Sequence, residues 1–237
     1  MPTSSGMADQ PTRGDVRQTY ETIAGHFSQT REYAWPEVEA FVDDVADEHG
    51  AEPGTTVGLD VGCGNGRHAE TLATAVDRVL ALDASLGLLA EARDRLADAD
   101  PATEFDLLAG DAARLPVADG AVDAAVYVAT LHHLPSRDER VASLSELGRV
   151  LAPGGRALVS AWSTAHDRFD ASADDERGFD TTVDWTLPDG DVVPRYYHVY
   201  APAEFERDLR ESGLAVVDSR VSSGNCYAVV RPEGKRP

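Results

Sequence analysis

The residues best suited to binding a ligand begin with a glycine-rich segment, LDVGCGNG, at residues 59–66. Glycines at this spacing allow a tight turn that brings backbone N–H groups against a ligand, and a helix that starts after the turn adds partial positive charge. Taken alone, the segment fits either a dinucleotide-binding turn or an ordinary strand-to-helix turn. The residues in it that we expect to contact a ligand are Asp60, Gly62, Gly64 and Asn65, although Asp60 could instead brace the turn.

Two further carboxylates follow the next two β-rich segments. Asp83 ends the run ALD, and Asp111 lies in the run GDA. A carboxylate at the end of the second strand accepts hydrogen bonds from ribose hydroxyls, whether the nucleoside belongs to NAD or to S-adenosylmethionine. Asp111 is placed to accept a hydrogen bond from an adenine amino group. The two carboxylates therefore predict a nucleoside site beside the glycine-rich turn.

The elements that must position these residues alternate regularly. After Pro53, short β-rich runs are separated by helical segments, and the β-rich runs are TVGLDVG, RVLALD, TEFDLLAG, AVDAAVYVA and RALVSAW. The helical segments include 68–76, 86–96 and 137–151. Such alternation predicts an α/β fold in which a mostly parallel, doubly wound sheet carries helices on both faces.

The remaining segments extend this one domain rather than adding a second. Residues 1–14 are polar and predict a disordered tail, and 15–237 is long enough for one well-filled core. The expected parts of the domain are N-terminal helices at 15–50, a ligand-binding core at 56–162, an inserted loop or lid at 163–193, and a C-terminal helix and strands at 194–237.

The charge of the chain is strongly one-sided. It has 42 acidic against 21 basic residues, a net charge of −21, and Lys235 is the only lysine beside 20 arginines. An acidic composition with almost no lysine is typical of proteins that stay soluble at high salt, so we expect a halophile-like protein. The same charge disfavours long-range attraction to nucleic acid, because phosphate affinity comes from basic contacts.

The cysteines and the apolar runs exclude several classes of protein. Cys63 and Cys226 are too few for a disulfide framework and have no zinc-binding spacing. No apolar run approaches the ~18 residues of a membrane span, and the N-terminus has no apolar signal segment. We therefore expect a soluble, cytoplasmic protein without a metal site or a membrane partner.

Five motifs, taken in order, resemble those of the class I S-adenosylmethionine-dependent methyltransferases. They are GCGNG, the acidic residue that ends the second strand, GDAARLPVADGAVD, LHHL, and RVLAPGG at 149–155. The resemblance implies a Rossmann-like fold with an antiparallel C-terminal strand, and S-adenosyl-L-methionine as cofactor. Besides the residues already named, the cofactor contacts that it implies are Tyr20, Ala84, Ala112 and Ala129.

The two ends of the chain narrow the resemblance. They are similar to the tRNA wobble-uridine 5-carboxymethyl methyltransferases, which include the domain fused to an AlkB-like dioxygenase in animals. The similar blocks are YETIAGHFSQTR at 20–31, WP at 35–36, PRYYHV at 194–199 and GN at 224–225. Cys226 stands where the family has tryptophan. The resemblance covers residues 16–230 and implies esterification of the carboxylate of 5-carboxymethyl(-2-thio)uridine in tRNA.

A carboxylate is already ionised at neutral pH, so that reaction needs orientation and exclusion of water rather than a general base. The resemblance implies catalytic roles for Arg31 and Arg195, since guanidinium groups hold carboxylate or phosphate in bidentate geometry. His132 and His198 are the expected hydrogen-bonding partners of the uracil, whereas His133 is expected to be structural. The alternative for Arg31 is a surface arginine within the acidic coat, and the site role is the favoured interpretation. The expected substrate contacts are Trp35, Tyr197 and Asn225, of which Tyr197 can stack on a base.

The resemblance also implies a partner protein. Eukaryotic relatives act with a small zinc-binding activator subunit that pairs with a sheet edge. The third strand, at 103–109, is expected at that edge and carries Phe105, Leu107 and Leu108.

Recognition of tRNA by so acidic a chain would require short-range contacts, because high salt screens long-range attraction. We therefore expect arginines to cluster at the cofactor mouth, and the candidates are Arg13, Arg17, Arg31, Arg137, Arg140 and Arg195. Two alternatives remain open: a small-molecule methyltransferase of the quinone-biosynthesis kind, and a non-catalytic S-adenosylmethionine-binding regulatory module.

Overall fold

The computed structural model describes residues 10–49, 55–99 and 103–234, which fold around a seven-stranded sheet. The strands in this part of the chain are β1 (Val57–Val61), β2 (Arg78–Asp83), β3 (Glu104–Ala109), β4 (Val122–Val128), β5 (Leu151–Trp162), β6 (Phe179–Thr186), β7 (Val192–Val199), β8 (Leu214–Ser222) and β9 (Asn225–Pro232). The order across the main sheet is β3-β2-β1-β4-β5-β9-β8, while β6 and β7 form a separate antiparallel hairpin.

The direction of the strands confirms the predicted fold class. Strands β1 to β5 are parallel, and β9 lies antiparallel between β5 and β8. From β1 the chain winds outward through β2 to β3, and then returns to the other side of β1 with β4 and β5. The loops that follow β1 and β4 therefore diverge at the carboxyl end of the sheet, and open α/β sheets bind ligands in such a crevice.

Helices pack against the sheet, and several begin at side-chain caps. They are α1 (Arg13–Gln29), α2 (Pro36–His49), α3 (Arg67–Leu72), α4 (Leu86–Leu96), α5 (Arg137–Val150) and α6 (Pro202–Glu211). Thr12 and Asp15 form a capping box at α1, and Ser136 and Glu139 form another at α5. Each box satisfies two backbone N–H groups that a helix start would otherwise leave free, so the caps determine where these helices begin.

The apolar residues form two cores, as expected for a sheet covered on both faces. One core joins the sheet to α5 and α6 and includes Tyr127, Leu147 and Phe205. The other joins it to α2, α3 and α4 and includes Phe41 and Leu72.

Two segments differ from the sequence-based prediction. Helix α1 begins at Arg13, inside the predicted tail of residues 1–14, of which residues 1–9 lie outside the described part of the chain. The predicted loop or lid at 163–193 contains the whole of β6 and the start of β7, paired from Phe179↔Val199 to Thr186↔Val192. Strand β6 does carry the period-two pattern of a strand, with Val183 and Trp185 alternating with Asp184 and Thr186, but the charged run that precedes it is typical of a loop.

The third strand lies at an edge of the main sheet, as predicted. Strand β3 is at one edge of the main sheet, and β8 is at the other. Cys63 and Cys226 are buried and free. Within the described ranges, no helix combines the length and the apolar character that crossing a membrane requires.

Candidate active site

A cavity of about 700 Å³ lies at the carboxyl ends of β1 to β4, between the loops that follow these strands and helix α1. Most of the residues predicted for a site line it. They are Tyr20, Arg31, Trp35, Gly62, Gly64, Asn65, Asp83, Ala84, Asp111, Ala112, Ala129, His132, Arg195 and Tyr197. Three other predicted site residues, Asp60, His198 and Asn225, do not line the cavity.

The turn after β1 holds three glycines at positive φ, Gly62, Gly64 and Gly66. Gly62 has a φ of +74°, and a Cβ at this position would overlap the side chain of Thr130. Gly64 has a φ of +55° and donates its N–H to Asp83 Oδ2 over 2.9 Å. A side chain would be strained at either φ, and at Gly62 it would also displace the side chain of Thr130.

Asp83 joins this turn to the next helix. Its Oδ1 accepts the N–H of Ser85 at 2.9 Å while its Oδ2 accepts that of Gly64. Burial raises the pKa of Asp83, and these backbone hydrogen bonds oppose the rise. A carboxylate has about four lone-pair sites, so Asp83 can still accept hydrogen bonds from ribose hydroxyls.

Asp111 is shared with the first helix. It forms an ion pair with Arg13, whose Nε also contacts Glu139 Oε1 at 2.9 Å. Asp111 Oδ1 accepts the N–H of Ala113 at 2.9 Å. Asp111, the carboxylate predicted to contact adenine, therefore also links α1 to the loop after β3 through an ion pair.

Asp60 differs from its predicted role as a cofactor contact. It is 1% exposed, and Oδ2 has no hydrogen-bond partner among the described residues. Burial raises its pKa to about 8, and the charge of Asp83 contributes to the rise. Asp60 is therefore protonated at neutral pH and lies beneath the glycine-rich turn rather than in the cavity.

Helix α1 forms one wall of the cavity and is tied to two other elements. Glu21 accepts hydrogen bonds from Ser85 Oγ at 2.7 Å and from the N–H of Gly87 at 3.1 Å, at the start of α4. On the hairpin side, His26 Nδ1 accepts from Trp185 Nε1 at 3.1 Å. These contacts fix the position of α1 over the sheet.

Arg31 and Arg195 bring two positive charges to the same wall. The Cζ atoms of Arg31 and Arg195 lie 5.7 and 4.7 Å from the ring centroid of Trp185. Arg195 is 7% exposed, and its Nε lacks a partner in the part of the chain described. Burial lowers the pKa of Arg31, and the charge of Arg195 lowers it further. No described carboxylate forms an ion pair with either arginine, so an anion bound here would satisfy both.

The two histidines that follow β4 have different hydrogen-bonding roles. His132 Nδ1 accepts the backbone N–H of Trp162 at 3.0 Å, whereas His133 Nδ1 lies 2.9 Å from the carbonyl oxygen of Tyr196. Burial lowers the pKa of both rings, that of His133 to about 3, so both are neutral at pH 7. Since a carbonyl only accepts, His133 carries its proton on Nδ1 and His132 on Nε2. His132 can therefore donate an N–H to a ligand in the cavity, but its ring has no remaining acceptor.

Strand alternation explains the position of His198. Arg195 and Tyr197 face the cavity, and His198 faces the other side of β7, where Nδ1 lies 2.7 Å from Asp180 Oδ1 and Nε2 lies 3.2 Å from Glu204 Oε1. His198 therefore does not face the cavity, as the predicted contact with the uracil requires, but contacts Asp180 and Glu204 instead. Asn225 also lies outside the cavity, where its Nδ2 donates to the carbonyl of Ser223 at 3.1 Å.

The arginines predicted to cluster at the cavity do so in part. Arg13, Arg17, Arg31 and Arg195 line it. Arg137 instead pairs with Asp208 and Glu211, and Arg140 is buried with its Cζ 5.4 Å from the ring centroid of Tyr200.

Among the cavity residues that were not predicted are Trp162, Arg67 and His68. Trp162 is stacked on Tyr197 with ring centroids 4.3 Å apart and an interplanar angle of 12°. Arg67 and His68 begin α3 and also line the cavity. Trp162 ends β5, so its position at the carboxyl edge of the sheet was the available signal. Among the described residues, no group of histidine, cysteine, aspartate and glutamate side chains could hold a metal ion.

Comparison with known proteins agrees with this geometry. The family described as Methyltransferase domain matches residues 59–159. The tRNA (carboxymethyluridine(34)-5-O)-methyltransferase ALKBH8 of Macaca fascicularis is 34% identical over 165 residues, covering 68% of this chain and 22% of that protein. The Saccharomyces cerevisiae tRNA (carboxymethyluridine(34)-5-O)-methyltransferase is 32% identical over 181 residues, covering 76% and 59%. The chain spans only about a fifth to a third of the length of the ALKBH8 proteins and the Arabidopsis thaliana relative.

Solved structures share the fold. An S-adenosylmethionine-dependent methyltransferase from Clostridium acetobutylicum ATCC 824 has a TM-score of 0.68 at 16% identity, covering 91% of this chain and 99% of that chain. DhpI, in a DhpI-SAH complex structure, has a TM-score of 0.63 at 22% identity, covering 94% and 97%. The chain therefore has the fold of S-adenosylmethionine-dependent methyltransferases, residues 59–159 match a methyltransferase domain, and its sequence resembles the tRNA (carboxymethyluridine(34)-5-O)-methyltransferases.

Proposed function

We propose that the chain methylates the carboxylate of 5-carboxymethyl(-2-thio)uridine at the wobble position of tRNA, with S-adenosyl-L-methionine as methyl donor. The observation that supports an anionic substrate is the pair Arg31 and Arg195. These two cations lie on one cavity wall without a carboxylate partner in the described chain. An anionic methyl acceptor satisfies both cations, whereas a neutral acceptor would leave them uncompensated. The named activity of the relatives supports the same substrate.

The other side of the cavity fits S-adenosylmethionine. Gly62 and Gly64 line it at the turn after β1, and Asp83 and Asp111 would accept hydrogen bonds from the ribose hydroxyls and the adenine amino group. When bound, this cofactor supplies a methyl group on a positively charged sulfur. No base is needed on the acceptor, because a carboxylate is ionised at neutral pH.

The residues of the chain would then orient the acceptor and exclude water. Arg31 and Arg195 hold the carboxylate, and their guanidinium geometry allows bidentate contact. His132 offers its Nε2–H to a carbonyl of the base. The stacked rings of Trp162 and Tyr197 provide an apolar surface beside it. Fixing the acceptor in this way lowers the entropic part of the barrier.

The cavity also provides the local charge that a tRNA requires. Five arginines line it, Arg13, Arg17, Arg31, Arg67 and Arg195, against two aspartates, Asp83 and Asp111. The protein as a whole has a net charge of −21. We infer that tRNA contacts depend on these arginines and on stacking, in a halophile-like cytoplasm where salt screens the rest of the surface.

Methyl transfer to defined acceptors tests the proposal. The protein is incubated with methyl-labelled S-adenosylmethionine and tRNA that carries 5-carboxymethyluridine, and the expected product is an alkali-labile methyl ester in the wobble nucleoside. Label found only in a lipid extract would favour the quinone-type alternative. Cofactor binding without transfer to either acceptor would favour the regulatory module.

We further propose that a small activator subunit pairs with β3. This edge strand carries Phe105, Leu107 and Leu108, each only partly buried, and its outer backbone groups have no neighbouring strand in the described sheet. Co-expression with a zinc-binding activator should raise solubility and activity, and Leu107→Pro should remove the gain because proline cannot extend a ladder. An unchanged solubility and activity on co-expression would reject this partner.

A further inference from the structure

Strand β8 is the edge of the main sheet that lies opposite β3, and β9 is its only neighbour among the described strands. Its nine residues include neither proline nor lysine, which proteins use to protect a free edge from pairing. Residues 217–221 are all exposed. Because successive side chains of a strand point to opposite faces, neither face of this stretch is covered by a helix. The outer backbone of β8 is therefore accessible to another strand.

A bulge limits where such a strand could align. The register of β8 against β9 shifts between Val216 and Asp218, and a bulge twists an edge strand locally. After it, the pairing with β9 is unbroken from Asp218↔Val229 to Ser222↔Asn225. A new strand can therefore align regularly from Asp218 onwards.

The side chains of β8 are arranged symmetrically about Ser219. Asp218 precedes it and Arg220 follows it, and Arg220 Nη1 lies 2.6 Å from Asp218 Oδ2, with 43% and 54% of the respective side chains exposed. Two apolar side chains lie two residues from Ser219 on either side. They are Val217, which is 58% exposed, and Val221, which is 44% exposed. Reading outward from Ser219, each direction thus gives one charged residue and then one exposed valine.

A strand with this symmetry is complementary to a second copy of itself. In an antiparallel pair centred on Ser219, Asp218 of each copy lies opposite Arg220 of the other. A centre at Asp218 or at Arg220 would instead place like charges opposite each other, which is destabilising. We propose that two copies of the chain associate through β8, with Ser219 on the two-fold axis.

The exposed valines add apolar contact to the pairing. Val217 of each copy approaches Val221 of the other, so four side chains that are otherwise largely in water become partly covered. Each copy contributes only one strand and its flanking side chains, and interfaces this small give weak, reversible association. The dimer is therefore expected to depend on protein concentration.

The symmetry also determines how the two cavities are oriented. A two-fold axis between antiparallel neighbours is perpendicular to the sheet, so β1 to β5 of one copy run opposite to those of the other. The cavities lie at the carboxyl ends of β1 to β4 and therefore open at opposite ends of the joined sheet. No residue of β8 lines the cavity, and β3 lies at the far edge of each copy.

Sedimentation velocity of the full-length protein tests the pairing, in salt that screens long-range repulsion between two chains of net charge −21. The wild type should shift from the mass of one chain, 25.3 kDa, towards twice that mass as concentration rises. Arg220→Asp and Asp218→Arg should each stay at the mass of one chain, because each variant brings two like-charged pairs together. The matched control is Arg93→Asp, which reverses an exposed charge on α4 and should dimerise as the wild type does.

Mixing the two β8 variants gives a sharper test. One variant carries two acidic residues around Ser219 and the other carries two basic ones, so the mixture should form a heterodimer although neither variant pairs with itself. A mixture that stays at the mass of one chain would overturn the proposal. A wild type that stays at that mass at every concentration, or a dimer that neither reversal disrupts, would do the same.

Hydrogen exchange of the wild-type protein provides a readout that needs no variant. Backbone amides on the outer edge of β8 should exchange more slowly as protein concentration rises, because pairing protects them, whereas those of β3 should not change. Exchange in β8 that is independent of concentration would reject the interface.

Discussion

His132 and His133 are consecutive residues whose neutral rings carry their protons on opposite nitrogens. Trp162 donates its backbone N–H to Nδ1 of the first, and the Tyr196 carbonyl accepts from Nδ1 of the second. Two backbone contacts thus turn one ring into a hydrogen-bond donor for the cavity and the other into an acceptor for Tyr20. Neither ring is available as a proton acceptor for the substrate, which agrees with a reaction that needs no general base.

Replacing His132 by two different amides should separate its two contacts. Asn places its Oδ1 near the position of Nδ1, so His132→Asn should keep the Trp162 contact and stability but lower kcat/KM about tenfold. Gln places its amide near Nε2, so His132→Gln should keep more activity and lose about 1–2 kcal/mol of stability, because the Trp162 N–H loses its acceptor. Methyl-transfer kinetics and denaturant unfolding of both variants check this. Equal effects of the two substitutions on both measurements would contradict it.

Removing either cation from the cavity wall should strongly slow ester formation without preventing cofactor binding. Arg31→Ala or Arg195→Ala removes a charge-assisted contact worth about 1.5–3 kcal/mol, so each should lower kcat/KM by roughly 10- to 100-fold. Calorimetry should give a Kd for S-adenosylmethionine near that of the wild type. Arg93→Ala is the matched control, because Arg93 is exposed and pairs only with Asp94 among the described residues. Loss of cofactor binding, or full turnover, in the cavity variants would reject the assignment.

The buried carboxyl of Asp60 should make stability fall as pH rises. Its pKa is raised to about 8 in the folded chain from 3.8, so between these values the folded state binds the extra proton. This contribution to stability is fully present below about pH 4 and is lost as pH rises through 8, with a slope of at most about 1.4 kcal/mol per pH unit. In thermal unfolding, the stability of Asp60→Asn relative to that of the wild type should therefore increase from pH 5 to pH 8. If the stability of the two proteins depends on pH in the same way, Asp60 is ionised in the folded state and the prediction is wrong.

Glu21 should link the stability of α1 to retention of the cofactor. Its carboxylate caps the start of α4 through Ser85 and Gly87, and the Ser85 hydrogen bond is the largest cause of its lowered pKa. Glu21→Ala should cost about 1 kcal/mol, as loss of an N-cap does, and should speed dissociation of S-adenosylmethionine several-fold. Stopped-flow displacement measures the rate. The control is Glu39→Ala, at an exposed position of α2; an equal effect of the control would remove the special role of Glu21.

Elements with clear local signals were predictable from the sequence. Helix α4 begins after Ser85, whose side chain caps Leu88, and its predicted range of 86–96 is the observed one. The glycine-rich turn and Asp83 were placed correctly at the cavity, since parallel strands bring successive carboxyl ends to one edge. The hairpin of β6 and β7 was missed because the charged run before it is typical of a loop, although Val183 and Trp185 alternate with polar residues in β6.

Contacts between distant segments were not predictable in the same way. His198 was assigned to the site because it lies close to Arg195 in the chain, but its side chain is on the opposite face of β7. The register of β7 relative to the cavity decides which of its side chains face the cavity, and no short sequence pattern specifies that register. The contact between Tyr20 and His133 joins residues 113 positions apart, so it follows only from the assembled fold.

The cavity arginines and the acidic remainder of the chain have a joint consequence for encounter with a polyanion. The net charge of −21 repels tRNA from most directions, while the residues that line the cavity carry five arginines against two aspartates. At moderate salt the arginine-lined cavity is therefore a more favourable direction of approach for a polyanion than the acidic remainder of the surface. Under the proposed function, acidity that weakens overall affinity for tRNA also acts as an orientational filter, because it favours approach of the anticodon loop through the arginine-lined cavity.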